Sequence, residues 1–147
     1  MTPRTVVFSL PPEETIEDLL RTKTQLNFSR IPLYNVHEST ISGVVLRRDI
    51  MNKIAQKETS HKLESMARPP EFVIETMSIY RLLNLLISHK THLAIVLNEY
   101  GDFIGVVSME DAIETLLGRE IVDEFDPAVD MRELALKKRF RFFKKKP

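Results

Sequence analysis

Apolar and polar positions alternate in blocks along the chain, and the blocks predict the same series of elements twice. In the first series they predict, in order, a strand at 5–10, a helix carrying Ile16, Leu19 and Leu20 on one face, strands at 33–34 and 41–46, and a helix at 48–56. The second series predicts a strand at 72–74, a helix with its N-cap at Ser78, strands at 93–97 and 103–107, and a helix at 109–117 ended by Gly118. Each series therefore reads β-α-β-β-α, which is an α+β pattern.

The two series are related in sequence as well as in pattern. The segment Gly43-Val-Val-Leu-Arg-Arg-Asp-Ile50 recurs 62 positions later as Gly105-Val-Val-Ser-Met-Glu-Asp-Ala112. The same spacing aligns 29–34 with 91–96, and further upstream the spacing changes by one residue. We interpret the chain as a tandem duplication with a single-residue insertion in a surface loop.

The repeat and the composition together predict the domain limits. The first repeat covers 1–57, a polar linker covers 58–70, the second repeat covers 71–118, and a tail covers 119–147. The tail is first acidic (120–126) and then strongly basic (137–146). A basic and aromatic segment of this kind is a solvated tail, or a contact with nucleic acid or, more in keeping with a membrane protein, with anionic lipid headgroups.

Composition excludes several classes of function. The 147 residues include 21 basic and 21 acidic side chains, so the net charge of zero argues against a protein that coats nucleic acid. Because the chain has no cysteine, disulfides and thiolate chemistry are excluded. The four histidines show no metal-ligand spacing, and no catalytic triad or paired-carboxylate pattern stands out. We therefore expect neither a metal site nor an enzyme.

The second helix of each repeat carries the most specific motif. A β-α-β-β-α unit with Gly-hydrophobic-hydrophobic-Ser/Thr-x-x-Asp at this helix resembles the cystathionine-β-synthase (CBS) domain. Two such units in tandem resemble a Bateman module, in which the repeats pack with pseudo-twofold symmetry. The resemblance covers about residues 1–118.

Further segments are similar to the CorC/HlyC group of haemolysin-related, magnesium and cobalt efflux membrane proteins. They are Met1-Thr-Pro-Arg4, the stretches 29–34, 92–101 and 108–114, and Ile121-Val-Asp-Glu-Phe-Asp126. The resemblance implies a cytosolic regulatory module, at the cytoplasmic face of the membrane, that binds AMP or ATP and modulates an attached transmembrane Mg/Co transport domain. It also implies a homodimer. The alternative is a purely structural dimerisation module with a vestigial ligand site.

Ser108 and Asp111 are the leading candidates for ligand contact. They follow a strand and begin a helix, so a ribose diol can donate to the Asp111 carboxylate while Ser108 bonds one hydroxyl. Their spacing is equally that of a helix-capping pair. In the first repeat Asp49 is kept, but Leu46 replaces the hydroxyl residue, so we expect one good site rather than two.

The resemblance also implies a base-binding pocket. It would use Thr2 and the stretch Phe28, Ser29, Arg30, Ile31 and Pro32, with Arg30 pairing with a phosphate of a nucleotide that carries or lacks Mg²⁺. The alternative is that Arg30 is simply exposed and that Ile31 and Pro32 end a helix.

Overall fold

The chain forms two compact units, described in a computed structural model over residues 1–22 and 25–118. The first unit comprises residues 8–70, and the second unit comprises residues 1–7 together with 71–118. The acidic and basic stretches of the tail lie outside the described residues. Within the described ranges, no helix is both long and apolar enough to cross a membrane.

Within residues 1–22 and 25–118, six strands and four helices make up the regular structure. The strands are β1 (Thr2–Pro3), β2 (Arg30–Asn35), β3 (Thr40–Leu46), β4 (Phe72–Ile74), β5 (Leu93–Leu97) and β6 (Phe103–Ser108). The helices are α1 (Ile16–Thr22), α2 (Arg47–Ala55), α3 (Ile79–Ser88) and α4 (Met109–Leu117). Short 3-10 helices occupy Arg4–Val6 and Leu63–Met66.

The second unit is built on a four-stranded sheet in the order β1-β6-β5-β4. β4 runs parallel to β5, and the other two pairs are antiparallel. The three central residues of β5 are buried, as its continuous apolar run predicts. The core comprises Val73, Leu82, Leu86, Ala94, Val96, Val107 and Ala112.

The first unit repeats this arrangement with shorter outer pairings. The β2–β3 hairpin lies at its centre. Leu10 forms a parallel β-bridge with Leu33, and Arg68 forms an antiparallel β-bridge with Val44. The order of segments across the sheet is therefore the same as in the second unit. Its core comprises Leu10, Ile16, Leu19, Ile31, Leu33, Val45, Ile50 and Leu63.

Each sheet is completed by a segment that the sequence places outside the repeat to which that sheet belongs. Thr2 and Pro3 pair with Val106 and Gly105, whereas Arg68 pairs with Val44 next to Gly43. Both glycines are needed for close approach: a methyl group at Gly105 would lie 2.4 Å from the Thr2 carbonyl oxygen, and one at Gly43 would lie 2.7 Å from Ala67 Cβ.

Strand register corrects the alignment of the repeats. Leu33 pairs with Gly43 and Val96 pairs with Gly105, so Leu33 corresponds to Val96 rather than to Ile95. The predicted match of 29–34 with 91–96 is therefore wrong by one residue. Because Tyr34 pairs with Ile41 and Leu97 with Phe103, the extra residue lies in the turn of the first hairpin. A single-residue insertion in a surface loop is confirmed.

Most predicted elements are confirmed. Both hairpins form, Ser78 caps α3 by accepting from the Arg81 amide at 3.4 Å, and α4 ends at Gly118 in the left-handed conformation (φ 63°). The second helix of the first repeat begins at Arg47, one residue earlier than predicted.

Two local predictions for the first repeat were wrong: the strand at 5–10 and the position of Pro32 at a helix end. The predicted strand at 5–10 is instead a 3-10 turn followed by an extended segment, because Thr2 and Pro3 are the residues that pair with β6. Leu20 is 47% exposed, whereas its neighbours Ile16 and Leu19 are buried. Pro32 lies within β2 rather than at a helix end. The polar segment 58–70 contributes Leu63, which is fully buried in the first unit.

Replacing Gly105 by alanine is expected to lower the free energy of unfolding by about 1–3 kcal/mol, the usual cost of overpacking. The atom that the new methyl group meets is the main-chain oxygen of Thr2, which cannot rotate away. Urea unfolding followed by circular dichroism measures the change.

Gly43→Ala provides the matched control, because the nearest atom there is Ala67 Cβ. Combining Gly43→Ala with Ala67→Gly should recover part of the lost stability, since the clashing atom is removed. A Gly105→Ala protein as stable as the parent would contradict the close approach of β1 to β6.

Candidate functional site

Ser108 and Asp111 form a reciprocal pair where β6 turns into α4. The Ser108 hydroxyl accepts from the Asp111 amide at 3.0 Å, and Asp111 Oδ2 accepts from the Ser108 amide at 2.9 Å. This is a capping box, so the structural reading of the two residues is present in the molecule. It also fixes the direction of the Asp111 carboxylate, whose side chain remains 25% exposed.

The N-terminal segment reaches the same carboxylate. The Met1 ammonium donates to Asp111 Oδ1 at 3.2 Å, and Thr2 lies opposite Val106 on β6. The His92 carbonyl accepts from the Met109 amide at 3.0 Å and so holds the start of α4 against β5. Thr2, Ser108 and Asp111 are thus brought to one end of the second unit.

No local sequence pattern indicates the contacts of Met1 and His92 at this site. Met1 reaches Asp111 only because β1 pairs with β6, a long-range pairing that no local pattern reveals. His92 is recognisable only from strand register, which places the following residue, Leu93, opposite Ser108.

The stretch from Phe28 to Pro32 belongs to the first unit. The Phe28 ring stacks on the Phe8 ring with centroids 5.7 Å apart and an interplanar angle of 28°. Ile31 and Pro32 are buried, so their side chains serve the core. Ser29 is exposed and Arg30 half-buried, and the Ser29 carbonyl accepts from the Arg47 amide at 3.0 Å.

The first repeat has a different arrangement at the position that corresponds to Ser108 and Asp111. Leu46 is the N-cap of α2 and makes no side-chain capping bond. The Asp49 carboxylate contacts two guanidinium groups instead: Arg68 Nη2 lies 3.1 Å from Oδ2, and Arg48 Nε lies 3.5 Å from Oδ1. The two repeats therefore surround the same aspartate with different chemistry.

Two carboxylates with lowered pKa values lie elsewhere in the first unit. The Thr15 hydroxyl, which donates to Asp18 at 2.6 Å, lowers the pKa of Asp18. A hydrogen bond from the Lys53 ammonium, with a smaller contribution from His61, lowers the pKa of Glu58. Both groups are exposed, and both shifts have local causes at helix ends.

No group of three potential metal-ligating side chains is found among residues 1–22 and 25–118. Two of the four histidines contact acidic residues instead. His89 Nδ1 lies 2.7 Å from Glu71 Oε2, and His61 Nε2 lies 3.4 Å from Glu58 Oε2.

Comparison with known proteins agrees with the duplicated fold. The CBS domain family matches residues 1–56 and again residues 62–118. The chain belongs to the CBS domain family. It is a tandem CBS pair related to those of CorC/HlyC-type transporters, and its α+β fold is that of such pairs. Those modules are regulatory domains rather than enzymes.

One solved structure is the CBS domain of a bacterial CNNM/CorC family Mg²⁺ transporter in complex with ATP. It is 35% identical, with a TM-score of 0.73, and the match covers 81% of this chain and 84% of that one.

Two curated relatives are longer proteins. Hemolysin C of Brachyspira hyodysenteriae is 33% identical over 86% of this chain and 46% of its own length. Magnesium and cobalt efflux protein CorC of Salmonella typhimurium is 28% identical over 92% of this chain and 47% of its own length. The chain thus spans less than half of either relative.

Removing the Ser108 hydroxyl is expected to destabilise the second unit. Ser108→Ala leaves the Asp111 amide without its capping acceptor, which costs about 0.5–2 kcal/mol. Ser108→Thr keeps the hydroxyl and should lose much less. The free energies of unfolding in urea report the difference, and equal stabilities for the two variants would contradict the capping role.

Proposed function

We propose that the chain is a regulatory module that binds an adenine nucleotide, AMP or ATP, and modulates an attached transmembrane domain that transports divalent cations such as Mg²⁺ or Co²⁺. The observation that carries the proposal is the oriented, partly exposed Asp111 carboxylate at the junction of β6 and α4. The CNNM/CorC relative solved with ATP supports the choice of ligand.

The capping role of Asp111 is compatible with ribose binding. A carboxylate offers about four lone-pair positions. Two are used, because Oδ2 accepts from the Ser108 amide and Oδ1 accepts from the Met1 ammonium. One lone-pair position on each oxygen is left to accept from the two hydroxyls of a ribose. The capping box keeps the carboxylate in a fixed orientation for these hydrogen bonds.

We assign the remaining contacts from the resemblance to CBS pairs. Thr2 and the stretch 28–32 are proposed to contact the base, with Arg30 paired to a phosphate and with Mg²⁺ as an optional companion of the nucleotide. Phe28 supports this assignment, because its ring is only partly buried and is already held by stacking on Phe8. A ring fixed in this way loses little freedom when a base packs against it.

Regulation follows if the nucleotide binds one arrangement of the module better than another, because a ligand shifts only equilibria whose states it distinguishes. We place the module at the cytoplasmic face of a membrane, joined to a transport domain. The support is that the chain resembles part of a magnesium and cobalt efflux protein and covers 47% of its length.

A thermal-shift measurement with AMP, ADP and ATP tests nucleotide binding directly. A nucleotide at a hundred times its dissociation constant stabilises the folded state by about 2.7 kcal/mol and should raise the melting temperature. Asp111→Asn is expected to weaken binding by about 10- to 100-fold, the range for a hydrogen bond to a charged group.

Asp49→Asn is the matched control and should leave nucleotide affinity unchanged. If none of the three nucleotides changes the melting temperature at millimolar concentration, the regulatory proposal fails. The alternative, a structural dimerisation module, is then favoured.

We also propose that a second copy of the chain covers the outer face of α3 and α4. Tyr80 and Ile87 on α3 are 72% and 61% exposed, and Leu116 on α4 is 55% exposed. Large exposed apolar side chains on two helices that pack together favour a protein–protein contact. This surface also supports the second candidate function, a structural dimerisation module.

Lysine at Ile87 or at Leu116 is expected to shift the chain from dimer to monomer in sedimentation equilibrium, because a charge in the contact must be desolvated. Val36→Lys is the control, since Val36 is 69% exposed but lies in the turn of the first hairpin. A parent chain that is monomeric at all concentrations, or a Val36 variant that dissociates equally, would contradict this surface.

A further inference from the structure

The two repeats keep the same aspartate but give it different partners. Asp111 accepts from the Ser108 amide and the Met1 ammonium. Asp49 instead has Arg68 Nη2 at 3.1 Å from Oδ2 and Arg48 Nε at 3.5 Å from Oδ1. Both oxygens of Asp49 therefore already face a guanidinium group.

Arg68 occupies a defined position in the repeat. It bridges Val44 on β3, as Thr2 pairs with Val106 on β6, and Val44 and Val106 are equivalent residues of the duplicated motif. Arg68 is thus the counterpart of Thr2. A threonine side chain is too short and uncharged to pair with the neighbouring aspartate, whereas an arginine reaches it.

We propose that Arg68 is a specificity-determining residue: by pairing with Asp49 it keeps ribose out of the first repeat, so that the chain takes a single nucleotide, at Asp111. The inference rests on the proposed nucleotide function. It extends that function by naming the residue that makes the two repeats unequal.

The physical argument compares hydrogen-bond donors. To reach Asp49, a ribose hydroxyl must replace a charged guanidinium donor by a neutral one, and charge-assisted hydrogen bonds are about twice as strong as neutral ones. Arg68 and Asp49 are 54% and 28% exposed, so water screens the pair and the penalty is moderate, roughly fivefold in affinity. Leu46 weakens ribose binding at the first repeat further, because a leucine cannot supply the hydroxyl that Ser108 offers.

Titration calorimetry with ATP, read as binding stoichiometry, tests the proposal. The parent chain should bind one equivalent, and the double variant Leu46→Ser with Arg68→Thr should bind two. The matched control is Leu46→Ser with Arg68→Lys, which keeps a cation beside Asp49, so its second equivalent should bind roughly fivefold more weakly than that of the Leu46→Ser, Arg68→Thr variant. Adding Asp49→Asn to the first double variant should return it to one equivalent.

The outcomes separate this inference from the proposed function. Two equivalents in the parent chain, or only one in the folded Leu46→Ser, Arg68→Thr variant, overturns the role of Arg68 and leaves nucleotide binding intact. If the parent binds no ATP, the proposed function fails. In that case, a double variant that gains one equivalent of ATP still supports Arg68 as the blocking residue. A double variant that binds no ATP overturns that role.

Circular dichroism and urea unfolding establish that the variants are folded. If the double variant does not fold, Arg68→Thr alone replaces it. Arg68→Thr alone should bind a second ATP at the first repeat, more weakly than the double variant does. Adding Asp49→Asn should remove this second binding event. If Arg68→Thr binds no second ATP, the proposal is overturned.

Discussion

The close approach of an extended segment to a glycine on the last strand of each sheet organises both units. At Gly105 the Thr2 carbonyl occupies the space of a side chain, and at Gly43 Ala67 does the same. These contacts complete each sheet with residues from outside the repeat that the sequence predicts for it. Without these segments the last strand of each sheet would present an open edge.

The same contacts determine the chemistry around the two aspartates. Pairing β1 with β6 delivers the Met1 nitrogen to Asp111, and the bridge of Arg68 to Val44 delivers a guanidinium group to Asp49. Structural completion and ligand specificity thus depend on one short segment in each unit. A change in that segment alters stability and binding together, so variants there are interpretable only when both are measured.

Local patterns were sufficient for most of the fold. The apolar run of β5, the cap at Ser78 and the stop at Gly118 are each determined by a few neighbouring residues, and each was predicted. The strand at 5–10 was not, because pairing of Thr2 with Val106 joins residues far apart in the chain. Leu63 was missed for a related reason: its burial depends on the unit it packs into, not on the polar residues around it.

The motif at the second helix was predictable in residue identity but not in its partners. Ser108 and Asp111 were selected for a ligand, and they also bond one another. These two roles do not compete, since one reciprocal pair caps α4 through the Ser108 hydroxyl and orients the Asp111 carboxylate through the Ser108 amide. In the first repeat, the Leu46 side chain cannot cap the helix, and the Asp49 carboxylate is paired with arginine side chains. The two repeats therefore differ in more than one contact at this position, in the cap of the helix and in the partners of the carboxylate.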